Sequence, residues 1–89
     1  MTLKTQRLLH QIWQAQQTGS AILAAAGLED LNVIYVFATD TTLVINCRDC
    51  SSLWQLDDAQ GDLRRAIRRL GLGITNIWVE REGHLAYDF

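Results

Sequence analysis

Between residues 3 and 18 the apolar positions Leu8, Leu9, Ile12 and Trp13 recur at i, i+1, i+4 and i+5 among Gln, Lys, Arg and Thr. That spacing gathers them on one face of a helix. Thr18-Gly19-Ser20 reads as a break or kink, with Ser20 capping a second short helix over residues 21–26 and Gly27 just past its end. Ala24, Ala25 and Ala26 suit a close helix–sheet approach and are equally explained by helix propensity. The period then changes. Residues 32–38 hold Val33-Ile34-Tyr35-Val36-Phe37, a β-branched and aromatic run too continuous for a strand with one wet face. Asp40-Thr41 supplies a turn, and residues 42–46 return as the second strand of a hairpin.

From residue 53 the apolar positions fall at 53, 56, 63, 67 and 70, with Gln60 in the gap. This predicts one helix over about 52–70, capped by Ser51 or Ser52. Gly61 weakens that helix by about 1 kcal/mol relative to Ala and is the expected kink; Gly71 and Gly73 stop it. Residues 74–81 form a third strand, Glu82-Gly83 a hairpin turn, and residues 84–89 a fourth strand with Leu85, Tyr87 and Phe89 on one face. The expected fold is therefore α+β with the order α-β-β-α-β-β: a four-stranded antiparallel sheet with helices packed on one face. Residues 1–89 form a single compact domain with no linker and no repeat.

Composition narrows the function classes. A chain of 89 residues, 48% hydrophobic, can build one core with a thin stability margin, which favours a homodimer. Eight Lys and Arg against ten Asp and Glu leave a net charge of −2, which counts against a dedicated non-specific nucleic-acid binder. No secretory signal pattern and no run of about 18 apolar residues is present, so a cytoplasmic protein with no membrane partner is expected. Two cysteines without a secretory signal fit a reducing compartment.

Charge is concentrated locally. Arg64, Arg65, Arg68 and Arg69 fall on a helix at about 0°, 100°, 40° and 140°, one cationic stripe, with Leu63, Ile67 and Leu70 on the other side. Guanidinium forks at this spacing suit carboxylates or phosphates. Trp54, at the edge of the same helix's apolar face, completes the expected partner-binding surface. Trp13 is expected in the core. Trp78, on the strand face opposite Ile77 and Val79, is expected with Tyr35 on the uncovered sheet face, where a homodimer would bury both.

Catalytic signatures are sparse. Cys47-Arg48-Asp49-Cys50 is a C-x-x-C at a strand end just before a helix, where a thiol pKa is lowered. A thioredoxin-type site also needs a strand–helix–strand unit and a facing cis-Pro, and the chain has no proline. The pair is read as structural, with thiol redox chemistry kept as an alternative. His10 and His84 are lone residues in distant elements, so no metal site and no cofactor are expected. There is no Gly-rich phosphate loop and no Gly-x-Ser-x-Gly. Asp57, Asp58 and Asp62 beside arginines, and Glu80 and Glu82 at a hairpin tip, read as solvated charge. The chain is accordingly expected not to be an enzyme.

Some local patterns carry a resemblance. Trp13 is followed by Gly19 and Leu23-Ala24. Then come Leu43-Val44-Ile45, Ser51-Ser52-Leu53-Trp54, Leu70-Gly71 and the Ile-rich strand from Ile74 to Val79. The stretch 12–79 resembles the KH-like domain of the bacterial DciA helicase-loader family. The resemblance implies binding to single-stranded DNA and to a replicative helicase. The sequence thus predicts a non-enzymatic interaction module whose basic helix face binds an acidic protein partner. The alternatives are a KH-like single-stranded nucleic-acid-binding or helicase-loader-like domain, and a thiol protein using Cys47 and Cys50.

Overall fold

The computed structural model describes residues 2–89. The first helix, α1, spans Leu3–Ala25. The Thr2 hydroxyl opens it by accepting the Thr5 N–H at 3.2 Å. At the other end Gly27 has φ +76°, and the Leu28 and Gly27 N–H groups bond back to the Leu23 and Ala24 carbonyls at 2.8 and 3.1 Å. This is the paired closure that glycine past a helix end allows. The break expected at Thr18-Gly19-Ser20 does not occur: the helix runs straight through. Gly19 is there for a tertiary reason. A Cβ on it would lie 2.9 Å from the Phe37 N and Cα and 3.0 Å from the Val36 carbonyl carbon, so the helix rests directly on strand backbone.

Strands β1 (Val33–Ala38) and β2 (Thr42–Cys47) form the expected antiparallel hairpin. Helices α2 (Cys50–Asp58) and α3 (Gln60–Arg69) follow, and then the hairpin of β3 (Asn76–Arg81) and β4 (His84–Asp88). Glu82 and Gly83 turn that hairpin with φ of 51° and 83°. The sheet order is β1-β2-β3-β4. The sheet is mixed, not the purely antiparallel one expected from sequence, because β2 and β3 pair in parallel. The helices carry the chain back along one face before β3 begins, and a helical crossover of this kind joins parallel neighbours.

The expected single helix over 52–70 is two helices meeting at Ala59, whose φ and ψ are −99° and 13°. The bend sits at Ala59 and not at Gly61. It lets Leu56 on one side and Leu63 on the other both reach full burial, with Ala59 7% exposed between them. The cap of α2 is Asp49 rather than a serine: its Oδ1 accepts the Ser52 N–H at 2.8 Å, while Ser52 is itself buried.

All three helices cover one sheet face. Two cross-strand rows define it, Ala38–Leu43–Ile77 and Val36–Ile45–Val79–Tyr87. Ile22, Leu23, Leu56, Leu63, Ala66 and Ile67 close over them into one core. The open face carries the rows Phe37–Val44–Trp78 and Tyr35–Asn46–Glu80–Leu85. Leu85 therefore does not share a face with Tyr87 and Phe89 as expected; a register shift places it opposite Glu80, exposed. β1 also departs from expectation. As an edge strand with a register shift between Val33 and Tyr35, it leaves Ile34 exposed. Among the described residues, no helix is long and apolar enough to cross a membrane.

Candidate functional site

Leu63, Ala66 and Ile67 fix the inner face of α3, and its arginines follow from the helical period. The structure divides the stripe. The Arg64 Nη1 donates to the Thr75 carbonyl at 2.8 Å, and its guanidinium lies 5.7 Å from the centre of the Phe89 ring. It therefore ties α3 to the sheet. Arg65 pairs with Asp62, three residues earlier, in a bridge whose side chains are both half exposed and which contributes under about 1 kcal/mol. It is the one ion pair among the described residues. Arg68 and Arg69 are exposed in the last turn of α3, where the helix carbonyl ends favour cations. Of four equivalent-looking arginines, one is structural, one is loosely paired and two are unpaired among the described residues.

Trp54 is 70% exposed on α2. With Cys50, Leu53, Asp57 and Tyr87 it borders an apolar depression of about 360 Å³. The Tyr87 hydroxyl donates to the Leu53 carbonyl at 3.2 Å, and its ring stacks on Phe89 at 5.8 Å. Burial pushes the Tyr87 phenol up to about 12, helped by the nearby Asp57 charge. Arg64, Phe89, Tyr87 and Trp54 thus form a continuous path from α3 to α2 across β4. The sequence marked its two ends; Tyr87 and Phe89 were legible only as alternating strand positions.

The thiols separate. Cys47 is fully buried at the end of β2, where burial, then the Asp49 charge, pushes it up to about 11. That is the opposite of the lowered thiol a redox site needs. Cys50 is exposed in the first turn of α2. Asp49 between them is occupied as a cap. The Ser52 backbone N–H, then the Ser52 side chain and the Asn32 amide, hold its carboxyl below the usual range. His10 stacks on Trp13 with ring centres 6.1 Å apart, and His84 opens β4. Among the described residues, no three His, Cys, Asp or Glu side chains converge to hold a metal ion.

On the open sheet face Trp78 is 41% exposed, and Tyr35 lies half-buried against Phe37 with ring centres 5.8 Å apart. The Tyr35 hydroxyl donates to Glu80, and this bond raises its pKa. Asn46, buried on the same face, accepts the Gly83 N–H at 2.9 Å. Glu80, toward the Glu82-Gly83 end of this face, disfavours a polyanion there. Trp13 is not in the core as expected. It is 56% exposed on α1, together with Leu8, Leu9 and Ile12. Comparison of the chain with family models, curated proteins and solved structures finds no match.

Proposed function

We propose that this protein is a small non-enzymatic interaction module that binds an acidic protein segment on the outer faces of α2 and α3. Arg68 and Arg69 carry the charge recognition, Arg65 exchanges Asp62 for the partner's carboxylate, and Trp54 beside its apolar depression anchors the contact. The observation that carries this reading is the pair Arg68 and Arg69, exposed and unpaired among the described residues on a chain that is net negative. A cationic end on a net-negative protein draws acidic partners to itself, because the negative remainder of the surface repels them. The buried, proton-holding Cys47 and the distant histidines support a binding role over a catalytic one.

The test uses Arg68→Glu/Arg69→Glu, which leaves the Arg64 tie to Thr75 intact. Affinity for a polyglutamate peptide should fall at least tenfold, with unchanged far-UV circular dichroism and melting. A single-stranded oligonucleotide is the second ligand. Oligonucleotide binding that exceeds peptide binding and falls steeply with salt would replace this reading with the nucleic-acid one. Equal peptide binding by both proteins would show that the stripe is only a solvated helix face.

A further inference from the structure

The sheet face that carries no helix has charge of one sign. Its two cross-strand rows are Phe37–Val44–Trp78–Asp88 and Tyr35–Asn46–Glu80–Leu85. Both charged residues in these rows are carboxylates, and neither makes an ion pair among the described residues. The cations stand elsewhere. Lys4 and Arg7 belong to α1, and four arginines belong to α3. Arg81 shares the row of Cys47, which is in the core, and lies near enough to Asp49 to help lower its pKa. Arg48 follows the end of β2, past the Tyr35–Asn46 row and on the far side of it from Trp78.

These features meet at Trp78, which is 41% exposed. Asp88 is its direct partner on β4, and such partners stand roughly 5 Å apart at Cβ. Glu80 is the next residue of β3 on the same face, roughly 7 Å along the strand. Val44 and then Phe37 lie on the side away from Asp88, and the neutral pair Thr42 and Asn76 forms the next row. Glu80 is held in place. The Tyr35 hydroxyl donates to its Oε1 across Asn46, which is itself fixed by the Gly83 N–H. That bond leaves Oε2 unbonded among the described residues. A cation resting on the exposed indole therefore has a carboxylate on two sides and an apolar floor on a third.

Charge selects the occupant. Two copies meeting through this face would bring their carboxylates together with no lysine or arginine from the rows to offset them, and a phosphate backbone meets the same repulsion. A cation gains from both the ring face and the carboxylates. A guanidinium suits the arrangement better than an ammonium. Its plane stacks on the indole while the N–H groups at its edge reach carboxylates on either side. We infer that the open sheet face is a docking surface for an arginine-bearing segment of a partner protein, with the arginine stacked on Trp78 between Asp88 and Glu80. The contact centres on one side chain, so it belongs to the weak, transient class of interfaces. Its sign is opposite to that of the α3 arginines, and it does not depend on the acidic partner proposed for them.

NMR titration of the isotopically labelled full chain with a peptide of Arg-Gly repeats tests it. The Trp78 indole N–H and the Val44 and Asp88 amides should shift, saturating with a dissociation constant below about 1 mM. A citrulline counterpart, neutral but of the same shape, should bind about tenfold more weakly, and a lysine counterpart about threefold more weakly. Trp78→Leu keeps an apolar side chain and removes the ring, and should weaken binding about tenfold. Glu80→Gln/Asp88→Asn removes both charges while the glutamine still accepts from Tyr35, and should weaken binding to a similar degree. Both variants should keep the circular dichroism of the wild type. Absence of shifts at Trp78 with about 5 mM arginine peptide overturns the inference. So does citrulline or lysine peptide binding as tight as that of arginine, or arginine binding unchanged in either variant. Shifts at Trp78 that grow with protein concentration in the absence of peptide overturn it in favour of a second copy. The same resonances moved by a single-stranded oligonucleotide overturn it in favour of nucleic acid.

Discussion

The two halves of α1 carry the same apolar seam and meet opposite fates. Ile22 is fully buried and Ile12 is 55% exposed, ten residues apart on one uninterrupted helix. In the second half Gly19 lets the helix touch the β1 backbone, and the seam becomes core. In the first half there is no sheet beneath the helix, and the same residue types become available surface. Helix propensity and amphipathic spacing therefore do not decide what a residue does; the extent of the sheet under it does. The α3 arginines and the two cysteines repeat the lesson. Arg64 and Cys47 are consumed by the fold, while Arg68, Arg69 and Cys50 face solvent.

The comparison breaks most visibly under one substitution made in both halves. Ile22→Ala should destabilise the folded chain by about 3–4 kcal/mol, because it leaves a cavity in a fully buried site. Ile12→Ala should change the stability of the isolated chain by no more than about 0.5 kcal/mol. Urea unfolding at a concentration where the chain is monomeric measures both. Equal losses would show that the overhang is packed in solution.

Alkaline pH sharpens the contrast between the thiols. The native state holds the Cys47 proton up to about pH 11, against an ordinary value of 9.0. Below pH 9 this preference is fully present. Between pH 9 and 11 the unfolded chain loses the proton first, so about 2–3 kcal/mol of stability should drain away. Tyr87 adds to the loss in the same direction above pH 10. Cys47→Ala should flatten the fall between pH 9 and 11 while lowering stability at neutral pH. A thiol-reactive dye should label Cys50 quickly in the native protein and Cys47 only after unfolding.

Gly19→Ala comes next. Overpacking against the Phe37 backbone costs about 1–3 kcal/mol, offset by up to about 1 kcal/mol of helix propensity, so a net loss near 1–2 kcal/mol is expected in urea. The smallest effect concerns the stripe. Arg64→Ala should cost about 1 kcal/mol through the lost contacts to Thr75 and Phe89, whereas Arg68→Ala should cost close to nothing in the same assay.

Much of the fold was legible because its signals are local. The β-branched and aromatic run over residues 33–37, the Asp40-Thr41 turn and Glu82-Gly83 gave both hairpins, and Gly27 marked the end of α1. What escaped depends on contacts between distant residues. Gly19 looks like a helix breaker until Phe37 is placed beneath it. The bend falls on Ala59, the best helix former among residues 57–62, and not on Gly61, and it lets Leu56 and Leu63 both be buried. Strand direction is not written in side-chain alternation, although some twenty helical positions between β2 and β3 were a signal of a crossover. For the candidate site, the arginine face was readable from spacing. The diversion of Arg64 to Thr75 and Phe89 was not, since those partners lie 11 and 25 positions away. The exposure of Leu8, Leu9, Ile12 and Trp13 was hidden for the same reason: an apolar helix face reads as core until the edge of the sheet is known.

The most direct measurement is residue-resolved hydrogen exchange along α1 across a range of protein concentrations. Amides of residues 19–25 should be protected to the same degree throughout, because the sheet covers that half. Amides of residues 7–14 should exchange quickly, because their half of the helix carries exposed apolar side chains and no buried ones. Protection of residues 7–14 equal to that of residues 19–25 would contradict the division of α1 into a half held by the sheet and a half left open by it.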